Sequence, residues 1–151
     1  MSGYEVIVFF HVLAVIVWLG GGIMFQILLA RASKIGPESV ASFNQAAEWT
    51  SQRVFMPSSF AALAFGIWAV IAGPYTFGEG WIIAGLVGFA LSALNGSLIL
   101  GPTSKKMKEA VDARGPSDPA VMRLARRIDR AGRVDLVVLI LVVFNMVVKP
   151  G

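Results

Sequence analysis

Hydrophobic positions gather in four long runs, at about 4–30, 54–73, 81–101 and 132–149, and charged and turn-forming residues collect between them. The first run covers about 27 residues, roughly 40 Å of helix at 1.5 Å per residue, against a hydrocarbon core of about 30 Å. The second and third are each about 20 residues, the length a bilayer demands. The fourth is a minimal span of about 15 apolar residues, lengthened where Gly132, Arg133 and Lys149 reach to the interface. Four transmembrane helices are therefore expected. A cleavable signal peptide is the competing reading of the first run. The start Met1-Ser2-Gly3-Tyr4-Glu5 lacks the positive region such a peptide needs, and the run outlasts its usual apolar stretch.

The segments between the runs carry their own patterns. Gly36-Pro37-Glu38-Ser39 is a turn followed by a helix start, and it predicts a short helix over 37–51 with Val40, Phe43, Ala47 and Thr50 on one face, lying along the headgroups. Gly73-Pro74 closes the second span and Gly101-Pro102 the third. The link over 74–80 is short, which predicts that spans two and three are antiparallel neighbours. Tyr75 and Trp81 fall where an aromatic belt belongs. Between 103 and 133 a loop from Arg114 to Pro119 divides two helical pieces. Asp118 caps the second, in which Val121, Leu124, Ala125 and Ile128 face away from Arg123, Arg126, Arg127 and Arg130. The fold class is all-α: an integral membrane four-helix up-down bundle, one domain over 1–151, with short interfacial helices in the cytoplasmic loops.

Composition agrees. Hydrophobic residues make up 56% of the chain and charged residues 15%, with a mean hydropathy of +0.73, more apolar surface than a soluble chain of 151 residues can bury. The net charge of +4 points to nucleic acid only until the basic residues are located: nine of the 13 lie between Lys105 and Arg133, a juxtamembrane cluster. Arg31, Lys34 and Arg53 add to the loop after span one, whereas 74–80 carries no basic residue. The positive-inside rule then sets both basic loops in the cytoplasm and both termini outside, as in a multi-pass membrane protein. With no cysteine there is no disulfide, thiolate metal site or thiol nucleophile. No Walker loop, zinc motif, nucleophile elbow or dinucleotide fingerprint occurs either.

His11 is the only histidine, and no other ionisable group stands between Glu5 and Arg31. An ionisable side chain at such depth is a functional-site hypothesis by default. At 100° per residue Trp18 and Gly22 project within about 20° of it, with Ala14 and Val15 between, a face on which a planar cofactor fits. One histidine excludes a bis-His site within one chain, so a second axial ligand is Met, Lys, water or nothing. The charge rule brings Lys149 and Met146 to the same outer half as His11. Asn95, Asn145, Gln26 and Ser92 read as interhelical hydrogen-bonding groups, and Ala84, Gly88, Ser92 and Gly96 as a ridge for close helix approach. Asp135 is positioned for an ion pair with Arg133 or Arg130.

Phe10-His11-Val12-Leu13 and Trp18-Leu19-Gly20-Gly21 on the first span, with Val147-Val148-Lys149-Pro150 at the end of the last, resemble a group of small bacterial membrane proteins. The group includes the CopD-like domain, a related uncharacterised integral membrane family, and the HemJ-type protoporphyrinogen IX oxidases. The oxidases carry a Trp-Phe-Ala-Gly pattern where this chain has Trp18-Leu19-Gly20-Gly21-Gly22, so the uncharacterised family is the nearer likeness. The resemblance implies that His11 ligates b-type haem and that Lys149 stands near the tetrapyrrole. With Trp18 and Gly22 from the face of His11 and Met146 from its depth, the expected cofactor pocket is His11, Trp18, Gly22, Met146 and Lys149, with His11 as metal ligand; the resemblance implies a redox role as electron carrier or protoporphyrinogen-type oxidoreductase. The alternative is a copper-handling protein, or a non-catalytic accessory subunit of a membrane complex. Expected partners are the lipid bilayer, a tetrapyrrole, and a second copy or a membrane redox protein, with no nucleic acid.

Overall fold

The computed structural model describes residues 2–150, which are helical apart from short connections and contain no strand. Helix α1 runs Gly3–Ile35, α2 Pro37–Thr50, α3 Met56–Ala72, α4 Gly80–Asn95, α5 Gly101–Arg114 and α6 Pro119–Val148. Ser2 caps α1 reciprocally with Glu5: the Glu5 amide donates to Ser2 Oγ at 3.3 Å and the Ser2 amide to Glu5 Oε2 at 2.8 Å. Gly36 ends α1 at φ 145°, a conformation that favours glycine. Asp118 caps α6, accepting from the Ala120 amide, and Arg114 pairs with it. The Arg114 guanidinium and then the Ala120 amide hold its carboxyl below the ordinary carboxylate range.

The chain makes four long helices rather than six separate ones. Ser51–Phe55 and Gly96–Leu100 are single wide turns that join α2 to α3 and α4 to α5, giving continuous helices over Pro37–Ala72 and Gly80–Arg114. Here the structure departs from the expected stop at Gly101-Pro102. A proline inside a helix removes one amide donor and drives its ring into the carbonyl four residues back. Before Pro57 the Met56 amide bonds Ser51 O, and before Pro102 the Gly101 amide bonds Gly96 O. The five-residue spacing takes up the misfit, so the helix passes through. The short helices expected in the basic loops are therefore present as continuations of the spans. With α1 and α6, the molecule has four helices long and apolar enough to cross a membrane: a multi-pass, all-helical membrane bundle.

Glycines facing large side chains decide which helices pack. On the α1/α3 seam, Gly66 lies against His11, Gly73 against Tyr4 and Gly21 against Phe55. On α1/α6, Gly22 lies against Leu136 and Gly132 against Gln26; on α4/α6, Gly85 receives Met146 and Gly88 receives Val142. Every packed pair in the spans is antiparallel, and the order is a curved row, α3–α1–α6–α4. The expected pairing of α3 with α4 is not formed along their length. The loop over 73–79 is long enough to bridge the two ends of the row, and no glycine seam draws the two helices together. Gly88 and Ser92 supply the expected ridge on α4, while Ala84 is exposed.

The densest packing lies at the basic end, where Leu29, Ala32, Val40, Met107, Val121 and Ala125 form one buried cluster between α1, α2, α5 and α6. Asn44 Nδ2 donates to Ser104 O at 3.2 Å and Ser104 Oγ donates to Asn44 Oδ1 at 2.9 Å, clamping α2 to α5. The α2 segment is thus part of this head instead of lying flat on headgroups. Arg133 pairs with Asp129 at 3.0 Å, not with Asp135, whose Oδ1 accepts from Asn95 Nδ2 at 3.4 Å across the α4/α6 seam. The α4/α6 seam gives a direct test. Val142 is β-branched and stiff at χ1, so Gly88→Val must push the helices apart and should cost about 1–3 kcal/mol. A lowered melting temperature in detergent would report it. Gly96→Ala, whose added methyl meets nothing within 4 Å, should melt with the unchanged protein.

Candidate functional site

Because the row is curved and α3 and α4 stay apart, the half of the bundle that holds the chain ends encloses a cavity of about 590 Å³, within the range of small-molecule sites. Its walls are almost wholly apolar and come from α1, α3, α4, α6 and the 73–79 loop. His11 lines it from α1. The imidazole is fixed through Nδ1, 2.7 Å from the backbone oxygen of Ala62 on α3. A carbonyl only accepts, so the neutral ring carries its proton on Nδ1 and keeps the Nε2 lone pair. A methyl placed on Gly66 would stand 3.0 Å from Cε1 and Nδ1 but 3.9 Å from Nε2, so Nε2 is the nitrogen turned away from α3. A carbonyl on one ring nitrogen with the other left free is how metal-ligating histidines are held.

The antiparallel register set by Gly22 on Leu136 and Gln26 on Gly132 brings Met146 to the depth of His11. Met146 lines the same cavity from α6, its methyl seated on Gly85, and packs with Val70, Trp81 and Ile82. Trp18 lies deeper and meets Phe89 of α4 edge-to-face at 5.7 Å, forming a floor. Lys149 stands at the opposite end. It stands at φ 47° with its backbone N–H donating to Asn145 O, and its Nζ donates to Tyr75 Oη at 2.7 Å. The ammonium also sits 4.5 Å from the Tyr75 ring centre and 5.1 Å from that of Trp81. Trp81 Nε1 donates to Glu79 at 2.6 Å, and Asn145 Nδ2 donates to Trp81 O at 2.7 Å. A polar lid thus covers the end of an apolar chamber.

A family model described as a predicted integral membrane protein, DUF2269, matches residues 5–150. The chain belongs to this family. No curated protein and no solved structure matches it.

Of the residues singled out by sequence, the structure gathers His11, Trp18, Met146 and Lys149 around one cavity. Gly22 is not among the lining; it serves the α1/α6 seam against Leu136, because the helix face that carries it has by then turned to α6. Sequence reasoning missed Ala62, whose contribution is a backbone oxygen, and Gly66 and Gly85, which make room for the ring and for Met146. Lone glycines inside apolar helices were the available signal. Tyr75 and Trp81, at the belt position, also meet the Lys149 ammonium with their rings, and Glu79 accepts from Trp81 Nε1. At the floor side, Gln26 Oε1 is buried without a partner among the described residues. Tyr75→Leu removes both the hydroxyl acceptor and one ring beneath the ammonium. Amide exchange over 76–82 should then quicken about two- to fivefold, the equivalent of the ~0.5–1 kcal/mol of an exposed cation–π contact. Tyr75→Phe, which keeps the ring, should fall between that variant and the unchanged protein.

Proposed function

We propose that this cavity holds one b-type haem, whose iron His11 Nε2 would ligate, in a protein with a redox role. One observation carries the reading. The single imidazole of the spans is tied through Nδ1 to Ala62 O beside an apolar chamber of about 590 Å³. The residues fit the group: an oriented nitrogen ligand, apolar walls for the ring edges, an aromatic floor of Trp18 and Phe89, and one cation at the lid end for a propionate. Met146, on α6 at the depth of His11, would be a second ligand to the iron. Bound haem would supply one-electron chemistry, which the protein directs by ligation and by excluding water. The likeness to the CopD-like and HemJ-type proteins supports electron transfer or protoporphyrinogen-type oxidation as that chemistry. The charge rule supports the orientation in a bacterial inner membrane, with the basic head in the cytoplasm and the lid and both termini outside.

Protein purified in detergent after haem-supplemented expression should show a Soret band. His11→Ala should abolish it. Gly66→Val, which crowds the ring off the Ala62 oxygen, should weaken haem affinity about ten- to hundredfold, the usual cost of disturbing a ligand's orienting partner. Met146→Leu should keep the Soret band and change the reduced spectrum. A colourless preparation, or one with stoichiometric copper and no porphyrin, overturns the haem reading; the second result decides for copper handling.

A further inference from the structure

Packed helices bound the cavity on most sides. Helices α3, α1, α6 and α4 make its curved wall, and the lid of Lys149, Tyr75, Trp81 and Glu79 covers the end near the chain termini. Toward the basic end Trp18 meets Phe89, Phe25 meets Phe55 edge-to-face at 4.7 Å, and the packed head lies beyond. Only the side between α3 and α4 lacks packed helices, although both contribute lining residues. That gap faces what surrounds the bundle, which in a membrane is acyl chains.

We propose that the cavity is loaded sideways from the bilayer through the gap between α3 and α4, by a membrane-dissolved amphiphile whose acidic group is received by Lys149. The lining that α3 and α4 contribute beside the gap is apolar: Leu63 and Ile67 on α3 and Leu86 on α4. A hydrated solute crossing that lining would shed water without gaining a hydrogen bond, whereas an acyl chain or an apolar ring loses nothing. Lys149 is the one cation on the lining, and among the described residues its ammonium meets rings and a hydroxyl but no carboxylate. An acidic head entering beside it gains a charge-assisted hydrogen bond at the membrane edge while its tail lies in the chamber. The proposal shares the cavity with the haem reading and names the chemistry and route of what fills it, without requiring that the occupant be haem.

The test uses haem-free protein. Trp49→Phe with Trp68→Phe removes the two tryptophans exposed on the outside and leaves Trp18 and Trp81, both on the cavity lining, as reporters. In phosphatidylcholine vesicles, brominated stearic acid should quench them at a several-fold lower membrane fraction than its brominated methyl ester. Lys149→Gln should bring the acid to the level of the ester. Because the chain has no cysteine, Leu63→Cys with Leu86→Cys can be bridged by a bis-maleimide, and the bridge should suppress quenching by both. The lateral route is overturned if neither compound quenches Trp18 and Trp81 while the exposed Trp68 of the unchanged protein is quenched, or if bridging has no effect. The acidic selectivity is overturned if acid and ester quench alike. A protein that never takes up haem would leave all these outcomes readable.

Discussion

The hydrogen bond from His11 Nδ1 to the Ala62 carbonyl, 2.7 Å long, is the constraint on which the rest depends. An imidazole within a bilayer must satisfy its N–H internally, and a helix carbonyl is an ordinary way to do so. Such a bond satisfies one nitrogen only. It commits the proton to Nδ1, locks the ring on the α1/α3 seam, and leaves a lone pair on the other nitrogen beside an empty-walled, apolar space. Gly66 makes room for it, since even a methyl there would stand only 3.0 Å from the ring.

The same device, a glycine under a large side chain, orders the four spans, and its absence is as telling as its presence. Seams of this kind join α3 to α1, α1 to α6 and α6 to α4, and leave α3 and α4 apart. The two ends of the bundle then have different characters. At the basic end α2 and α5 add themselves as continuations of the spans and complete a dense core around Val40, Met107 and Val121. At the other end nothing fills the concave side, and the chain spends its polar residues on a lid. A rigid head beneath a hollow half suits a protein whose working volume is in the membrane.

Much of this was legible in the chain. The four spans follow from run length, the apolar face of Val121, Leu124, Ala125 and Ile128 follows from helical period, and the shared depth of His11, Met146 and Lys149 follows from alternating direction. What was not legible depended on partners. Gly101-Pro102 reads as a stop because sequence rules assume four-residue bonding, and the wide turn evades them. The short link after Gly73 reads as a hairpin of neighbours, yet a loop fixes only how far two ends can part, not whether the helices attract. Gly22 sits on the His11 face by angle alone, but a neighbouring helix claims it for Leu136. Asp135 reads as a partner for an arginine, but Asn95, distant in sequence, donates to it. Ala62 could not have been found, because what it offers is common to every residue.

The tautomer of His11 tests the account most directly, and a single histidine makes it measurable without assignment. In protein labelled with ¹⁵N only at histidine and reconstituted in lipid without haem, at a pH where the ring is neutral, two ring signals are expected. The structure requires a protonated Nδ1 and an unprotonated Nε2 with a pyridine-like shift. A ring protonated on Nε2, or one averaging between the two tautomers, would mean that the Ala62 carbonyl does not hold it and that Nε2 is not the nitrogen kept for a ligand.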